Sequence, residues 1–437
     1  IYSLKKMENL YIFLPHTNQI FFQNIASSFT KAVFSMNCLN RIFFNNMCPF
    51  FPLMQQYFPQ ESFDFLSVYN ELAKLVLNMG NVLPQSIQIL KKFTALSKIE
   101  LTRKQVALLF CLSFFGVLPV NTSNLLNKFT VSQVLYANSG PQFQFGRCFL
   151  NYLKTIGYWL KENNPILDEK VIYIRENINR NAWNFANLNL ISLCQINFCP
   201  LGSLTEGNAT YCVDFANKFI GGGVLKGGAV QEEILFGLDP EAIVALLFME
   251  EMDDNDGIGI FNTIQYSKNK GYGKTFEFFG SNIDGSSNMY NVKRHRIIAI
   301  DAARDDKRLN QLTNFEQHIY QSIICRDIYK ALAGFNLINQ DYGFEKSIAT
   351  GNWGCGVFNG IHELKFVEQW IAASFAGVQR LDYYTFNKIE MQNALKYYDF
   401  IKNKYKSAYN LFYALVNNKF DAENIINCLV NLNIAPI

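Results

Sequence analysis

Residues 211–237 read YCVDFANKFIGGGVLKGGAVQEEILFG, and the fold turns on how this stretch is parsed. It opens with alternation: Tyr211, Val213 and Phe215 fall on one side, Cys212, Asp214 and Ala216 on the other. A period of two is the mark of a strand. Gly221, Gly222 and Gly223 follow, then Gly227 and Gly228, then Gln231-Glu232-Glu233 leading into an apolar run. Strand, glycine loop and helix start together present backbone N–H groups to a phosphate. Two adjacent carboxylates beside such a loop repel the anion it attracts, so their presence points to chemistry rather than simple binding.

Outward from this stretch the pattern of strand, loop and helix repeats. Expected strands are Val171–Arg175, Leu190–Asn197, Tyr211–Ala216, Gly257–Asn262, Arg296–Ala302, Lys346–Ala349 and Leu381–Phe386. Expected helices are Asp239–Glu251, Asn314–Leu332, His362–Phe375 and Lys388–Lys402, with more helix over Tyr405–Leu432. Such alternation predicts an α/β layer fold on a parallel or mixed sheet. Ligands in open α/β sheets lie beyond the carboxyl ends of strands. Three loops there draw attention: Gly221–Glu233, Ser267–Gly273 and Thr350–Phe358.

The first 165 residues read differently, as an all-helical accessory domain preceding an α/β domain over 166–437. Glu61–Met79 repeats its apolar residues near every 3.6 positions, and Phe143–Leu160 does so too. Thr102 and Gln105 form a capping-box signature before the apolar run Val106–Val120. That run is shorter than the roughly 18–20 residues a membrane span needs, so it is expected to be a buried helix. The N-terminal residues carry charges that interrupt any secretory apolar core.

The 437 residues are 49% hydrophobic, enough for a large core and more than one domain. A net charge of +3 is too small to mark a nucleic-acid binder by bulk field. Ten cysteines without a Cys-x-x-Cys pair, and four histidines without ligand spacing, argue against a zinc site and for reduced thiols in an intracellular protein, nuclear or cytoplasmic. Neither a metal nor a cofactor is expected.

The ordered motifs resemble the poly(ADP-ribose) glycohydrolase family: Gly221-Gly222-Gly223, seven residues, then Gln231-Glu232-Glu233, with Val213-Asp214-Phe215-Ala216-Asn217 before and Gly271-Tyr272-Gly273 and Thr350-Gly351-Asn352-Trp353-Gly354-Cys355-Gly356 after. Weaker similarity reaches Arg103-Lys104-Gln105-Val106-Ala107. The resemblance implies a macrodomain-like mixed sheet flanked by helices. It also implies exo-type hydrolysis of the ribose–ribose bonds of poly(ADP-ribose), releasing ADP-ribose, on polymer carried by ADP-ribosylated proteins. By the resemblance Glu233 is the general acid, Glu232 holds the terminal ribose, and Asp214 orders Glu232. Substrate contacts are expected from Leu204, Thr205, Asn217, Gly221, Gly222, Gly223, Gln231, Tyr272, Asn352, Trp353, Gly354, Cys355, Gly356, Val357, Phe358 and Phe386. Thr205 stands where the family often has an acid. A monomer, with no nucleic acid or membrane as partner, is expected.

Each of these residues also has a structural reading. Glu232 and Glu233 favour a helix start, Gln231 a helix cap, and Asp214 and Asn217 a turn. Trp353, Phe358 and Phe386 are as readily core residues as ligand faces. The rival functional reading is a non-catalytic ADP-ribose reader, which needs the glycine loops but not the glutamate pair; a third is a scaffold whose helical half recruits partners.

Overall fold

The computed structural model describes residues 19–21, 59–84, 86–115, 118, 123–137, 139–180, 190–283, 292–304, 317–418, 420–421 and 424–433. Its centre is an eight-stranded mixed sheet. In chain order the strands are β1 (Leu96–Thr102), β2 (Lys170–Asn177), β3 (Gln195–Cys199), β4 (Tyr211–Phe215) and β5 (Asp256–Ile264). A separate hairpin, β6 (Ser267–Lys270) and β7 (Glu277–Ser281), comes next. Then follow β8 (Arg294–Ile300), β9 (Ser347–Gly351) and β10 (Arg380–Tyr384). Across the sheet the order is β1-β2-β5-β8-β4-β9-β10-β3. The last five run parallel, and β8–β5–β2–β1 pair antiparallel.

Parallel strands are covered on both faces and so read as continuous apolar runs. In β4, residues 211–214 are all buried, and in β8 Ile297 to Ile300 are fully so. Their alternation sorts the core into two layers. Cys212, Ile297 and Ala299 pack with the helical half; Tyr211, Val213, Ile298 and Ile300 pack against the C-terminal helices.

The helical half supplies α1 (Pro59–Leu77), α2 (Arg103–Phe114) and α3 (Gly140–Lys161). The expected capping box starts α2: the Thr102 hydroxyl accepts from the Gln105 N–H at 3.2 Å, and the Gln105 side chain accepts from the Thr102 N–H at 2.9 Å. The buried helix expected from Val106 ends at Phe114; residues 116, 117, 119 and 120 lie outside the described residues. The opposite layer holds α5 (Gln317–Asn336), α6 (His362–Phe375), α7 (Gln392–Tyr405), α8 (Ala408–Asn417) and α9 (Ile425–Asn431), while α4 (Gln231–Leu238) follows the glycine loop.

The elements depart from expectation where burial or turns override local pattern. Leu96–Thr102 is a strand within the half read as helical; its alternating burial belongs to an edge strand beside β2. The helix expected over 239–251 is one turn, Pro240–Ile243, followed by a 3-10 turn, Val244–Leu247. Every residue there is buried, so no amphipathic period exists to distinguish one continuous helix. The strand expected from Leu190 begins at Gln195. Ser267–Gly273, read as a loop, begins with strand β6. Helix over 405–432 is broken after Tyr405, where Lys406 takes φ +60°. Residues 314–316 of the helix expected at Asn314 lie outside the described residues.

No described helix is long and apolar enough to cross a membrane.

Candidate functional site

Because β8, β4, β9, β10 and β3 run parallel, their carboxyl ends share one edge of the sheet. The loops after β4 and β9, Phe386 after β10, and Leu204-Thr205 after β3 all leave from that edge. This brings together segments as distant in sequence as Leu204 and Phe386.

The glutamate pair is held by backbone. Glu232 accepts from the Gly221 N–H at 2.7 Å and the Asn217 N–H at 2.9 Å. Glu233 accepts from the Gly223 N–H and the Val230 N–H, both at 2.9 Å. The bond to Val230 is a helix N-cap bond, so Glu233 does serve the helix start while its other oxygen faces the glycine loop. Both side chains are buried, Glu233 at 7% exposure and Glu232 at 2%. Gly222 must be glycine: it sits at φ +49°, and a Cβ there would lie 2.5 Å from a carboxylate oxygen of each glutamate.

Asp214, at the end of β4, is fully buried, and neither carboxylate oxygen has a hydrogen-bond partner among the described residues. A buried polar group without a partner marks a functional or strained position. Burial, reinforced by the nearby Glu233 charge, holds the Asp214 carboxyl well above the usual carboxylate range. Burial and then Asp214 raise Glu232 likewise, against the opposing pull of its two backbone N–H donors. One neutral, proton-bearing site among three carboxyls therefore relieves the cluster.

This has a consequence for stability. A carboxyl whose folded pKa is raised stabilises the fold fully only below its unfolded value near 4, and that contribution is lost as pH rises through the folded pKa. Asp214→Asn removes the cost of ionising a buried group. It is expected to be about 1–3 kcal/mol more stable than the parent at pH 8, with the gap closing toward pH 4. Denaturant unfolding at several pH values measures this; equal or lower stability of the variant at pH 8 contradicts it.

The Gln231 side chain is held by β4: it accepts from the Phe215 N–H at 2.8 Å and donates to the Val213 carbonyl at 3.0 Å. It ties α4 to β4 and so sets the glutamates against Asp214. Asn217 gives its backbone N–H to Glu232, and its side chain accepts from the Phe219 N–H at 3.1 Å, closing a turn. Tyr272 reaches the site on the tip of the β6–β7 hairpin, docked where the Gly273 N–H donates to the Ala229 carbonyl at 2.9 Å. Its phenol lies by the Gln231 N–H and feels the Glu233 charge; partial burial is the larger cause of its raised pKa. At 59% exposure the ring is open to a ligand.

Beyond β9, the Trp353 side chain is fully buried and donates to the Ile300 carbonyl at 2.9 Å, as its core reading expects. The indole braces the loop from below, leaving only backbone toward the edge. Asn352 donates to the Thr385 carbonyl at 3.1 Å, joining this loop to that after β10. Gly354 sits at φ +73° against Ala302, and the Cys355 N–H donates back to Asn352 at 3.1 Å. Gly356 has open space at its Cβ position, Val357 is 74% exposed, and Phe358 lies under the Arg304 guanidinium at 4.6 Å. Phe386, at φ +52°, is 42% exposed. Leu204 is buried, and the Thr205 hydroxyl bonds Ser203 at 2.9 Å.

Sequence reasoning missed Asn127 and Gln142. Asn127 donates to the Ile220 carbonyl at 3.1 Å and the Gly222 carbonyl at 3.0 Å, and Gln142 donates to the Leu225 carbonyl at 2.9 Å. Both come from the helical half, and a polar residue in a loop or at a helix start carries no signal of a distant partner. Arg304, given no role from sequence, covers Phe358. Among the described residues no cluster of His, Cys, Asp and Glu has the makings of a metal site, and the eight described cysteines are free thiols.

The chain is similar to known proteins in sequence. Residues 182–393 match the model for "Poly (ADP-ribose) glycohydrolase (PARG), Macro domain fold", and residues 58–175 the model for its helical domain, together about three quarters of the chain. The chain is 32% identical over 272 residues to Poly(ADP-ribose) glycohydrolase 1 of Arabidopsis thaliana, covering 46% of this chain and 48% of that protein. It is 27% identical over 343 residues to Probable poly(ADP-ribose) glycohydrolase 2 of the same plant, covering 68% and 64%. It thus spans about half to two thirds of the length of these relatives. A solved poly(ADP-ribose) glycohydrolase from Deinococcus radiodurans in complex with ADP-ribose is 12% identical over 52% of this chain and 85% of that one, at a TM-score of 0.29.

Proposed function

Since this chain belongs to the poly(ADP-ribose) glycohydrolase family, we propose that it hydrolyses the ribose–ribose O-glycosidic bonds of poly(ADP-ribose), working from the chain end and releasing ADP-ribose. The observation that carries this reading is the carboxylate cluster itself: two glutamates cradled by Gly221 and Gly223, beside a buried aspartate that resists ionisation.

Glu233 is the general acid. Its proton passes to the leaving ribose oxygen as the C–O bond breaks, and positive charge develops on the anomeric carbon as an oxocarbenium-like ion. Glu232, held by two N–H groups, orients the terminal ribose and offers negative charge to that ion. Water adds to the anomeric carbon and returns a proton to Glu233. Asp214 keeps the cluster short of full ionisation. The loop around 354–356 receives the diphosphate on backbone N–H groups, the N–H groups of Gly221 to Gly223 being taken up within the protein, and Tyr272, Phe358 and Phe386 cover sugar and base. Polymer on ADP-ribosylated proteins is the substrate, and a nuclear or cytoplasmic setting accords with the free thiols.

Incubation of the purified chain with poly(ADP-ribose), products resolved by size, tests this. Free ADP-ribose and progressively shorter chains are expected. Polymer retained at full length on the protein supports the reader instead, and the absence of both leaves only the scaffold.

A further inference from the structure

We propose that Asn127, from the helical half, is a positioning residue that aims the two catalytic glutamates through the glycine loop; its effect on turnover rests on the glycohydrolase reading above. Two peptide units carry the effect. In a planar trans peptide the C=O and the following N–H point in opposite directions, so holding one aims the other. The Asn127 amide donates to the Ile220 carbonyl at 3.1 Å, and the N–H of that same peptide, on Gly221, donates to Glu232 at 2.7 Å. It also donates to the Gly222 carbonyl at 3.0 Å, and the N–H of that peptide, on Gly223, donates to Glu233 at 2.9 Å. One side-chain amide thus stands behind both peptides, and each peptide faces a different glutamate.

The clamp answers a weakness of the loop. Gly221 and Gly222 lie at φ +81° and +49°, where glycine moves readily, and a flipped peptide would turn a carbonyl onto a carboxylate. Asn127 is itself well fixed. Leu126 and Phe129 anchor it in the core. The Glu251 N–H donates to Leu125 at 2.7 Å on the partner segment. The Lys128 N–H donates to the Asn127 side-chain oxygen at 2.9 Å, which turns the NH₂ end toward the loop. The helical half therefore takes part in the site without touching the substrate.

Three variants and two readouts test this. Asn127→Ala is expected to lower kcat roughly 10–100-fold with KM within about threefold, since small misplacement of catalytic groups weighs on the chemical step. Asn127→Asp keeps size and the Lys128 contact but faces both carbonyls with an acceptor, and is expected to fall at least as far. Lys128→Ala, an exposed neighbour, is the control. Amide hydrogen exchange supplies a readout independent of turnover: the Gly221 and Gly223 N–H groups are expected to lose protection in both Asn127 variants while the sheet keeps its own. If Asn127→Ala does not fold, the nearly isosteric Asp variant carries the test alone. Unchanged glycine exchange, or kcat within threefold of the parent, overturns the inference. If the parent releases no ADP-ribose, the functional reading fails, and the exchange data still decide the role of Asn127.

Discussion

Replacing Glu233 with glutamine is expected to lower ADP-ribose release by about 10²–10⁴-fold, the range over which positioned acids act. Glutamine keeps the length and volume of the side chain but has no proton of suitable acidity for a leaving ribose oxygen. It can still accept from one of the two N–H groups that Glu233 uses, Gly223 or Val230. Helix α4 and the glycine loop should therefore hold. Affinity for ADP-ribose by calorimetry is expected to stay within about threefold, because binding and proton transfer draw on different groups. Turnover within tenfold of the parent would remove Glu233 from the acid role and return attention to Glu232, whose carboxyl burial raises above the usual range.

The second large effect lies at the junction of the two halves. Arg103, in the first turn of α2, is fully buried and donates to Glu241, to Glu169 at 3.3 Å and to the Asn262 carbonyl at 2.9 Å. Glu241 also accepts from the Tyr266 hydroxyl at 2.7 Å and the Ile264 N–H at 3.1 Å. Burial pushes the Glu241 carboxyl up, and the adjoining guanidinium pulls it back. Arg103→Met leaves that carboxylate buried without a counter-charge, and the expected loss is about 3–5 kcal/mol. The sign with pH follows: the loss should be smaller at pH 5, where an isolated buried Glu241 takes a proton, than at pH 8. The double variant Arg103→Met, Glu241→Met should recover most of it. Denaturant melts of the three proteins check this. A loss below 1 kcal/mol in the single variant would mean that the pair does not join the halves energetically.

The run from Tyr211 to Glu233 announced strand, loop and helix because glycines and paired acids are rare punctuation, and the structure keeps them in that order. Helix α6 was legible to the residue although nearly all of it is buried, since its run of good helix formers lies between Gly360 and Gly377. Strand β1 was not, because LSKIELT sits at a sheet edge within helical surroundings and only its partner β2 makes it a strand. By type and position Trp353 and Gln231 admitted both a ligand and a structural reading. Only packing revealed that the indole is fully enclosed and that the amide is taken up by β4.

By itself the sequence determined the chemistry on offer: a glycine turn that no other residue can occupy, two acids at a helix start, and alternation that sets strands side by side. Those are local properties, governed by backbone freedom and side-chain type. The tertiary structure alone decided which carboxyls lose their water, which peptide faces which glutamate, and that an asparagine about ninety residues upstream stands behind the loop. Desolvation and hydrogen-bond direction depend on what lies across space, and residue order does not record that.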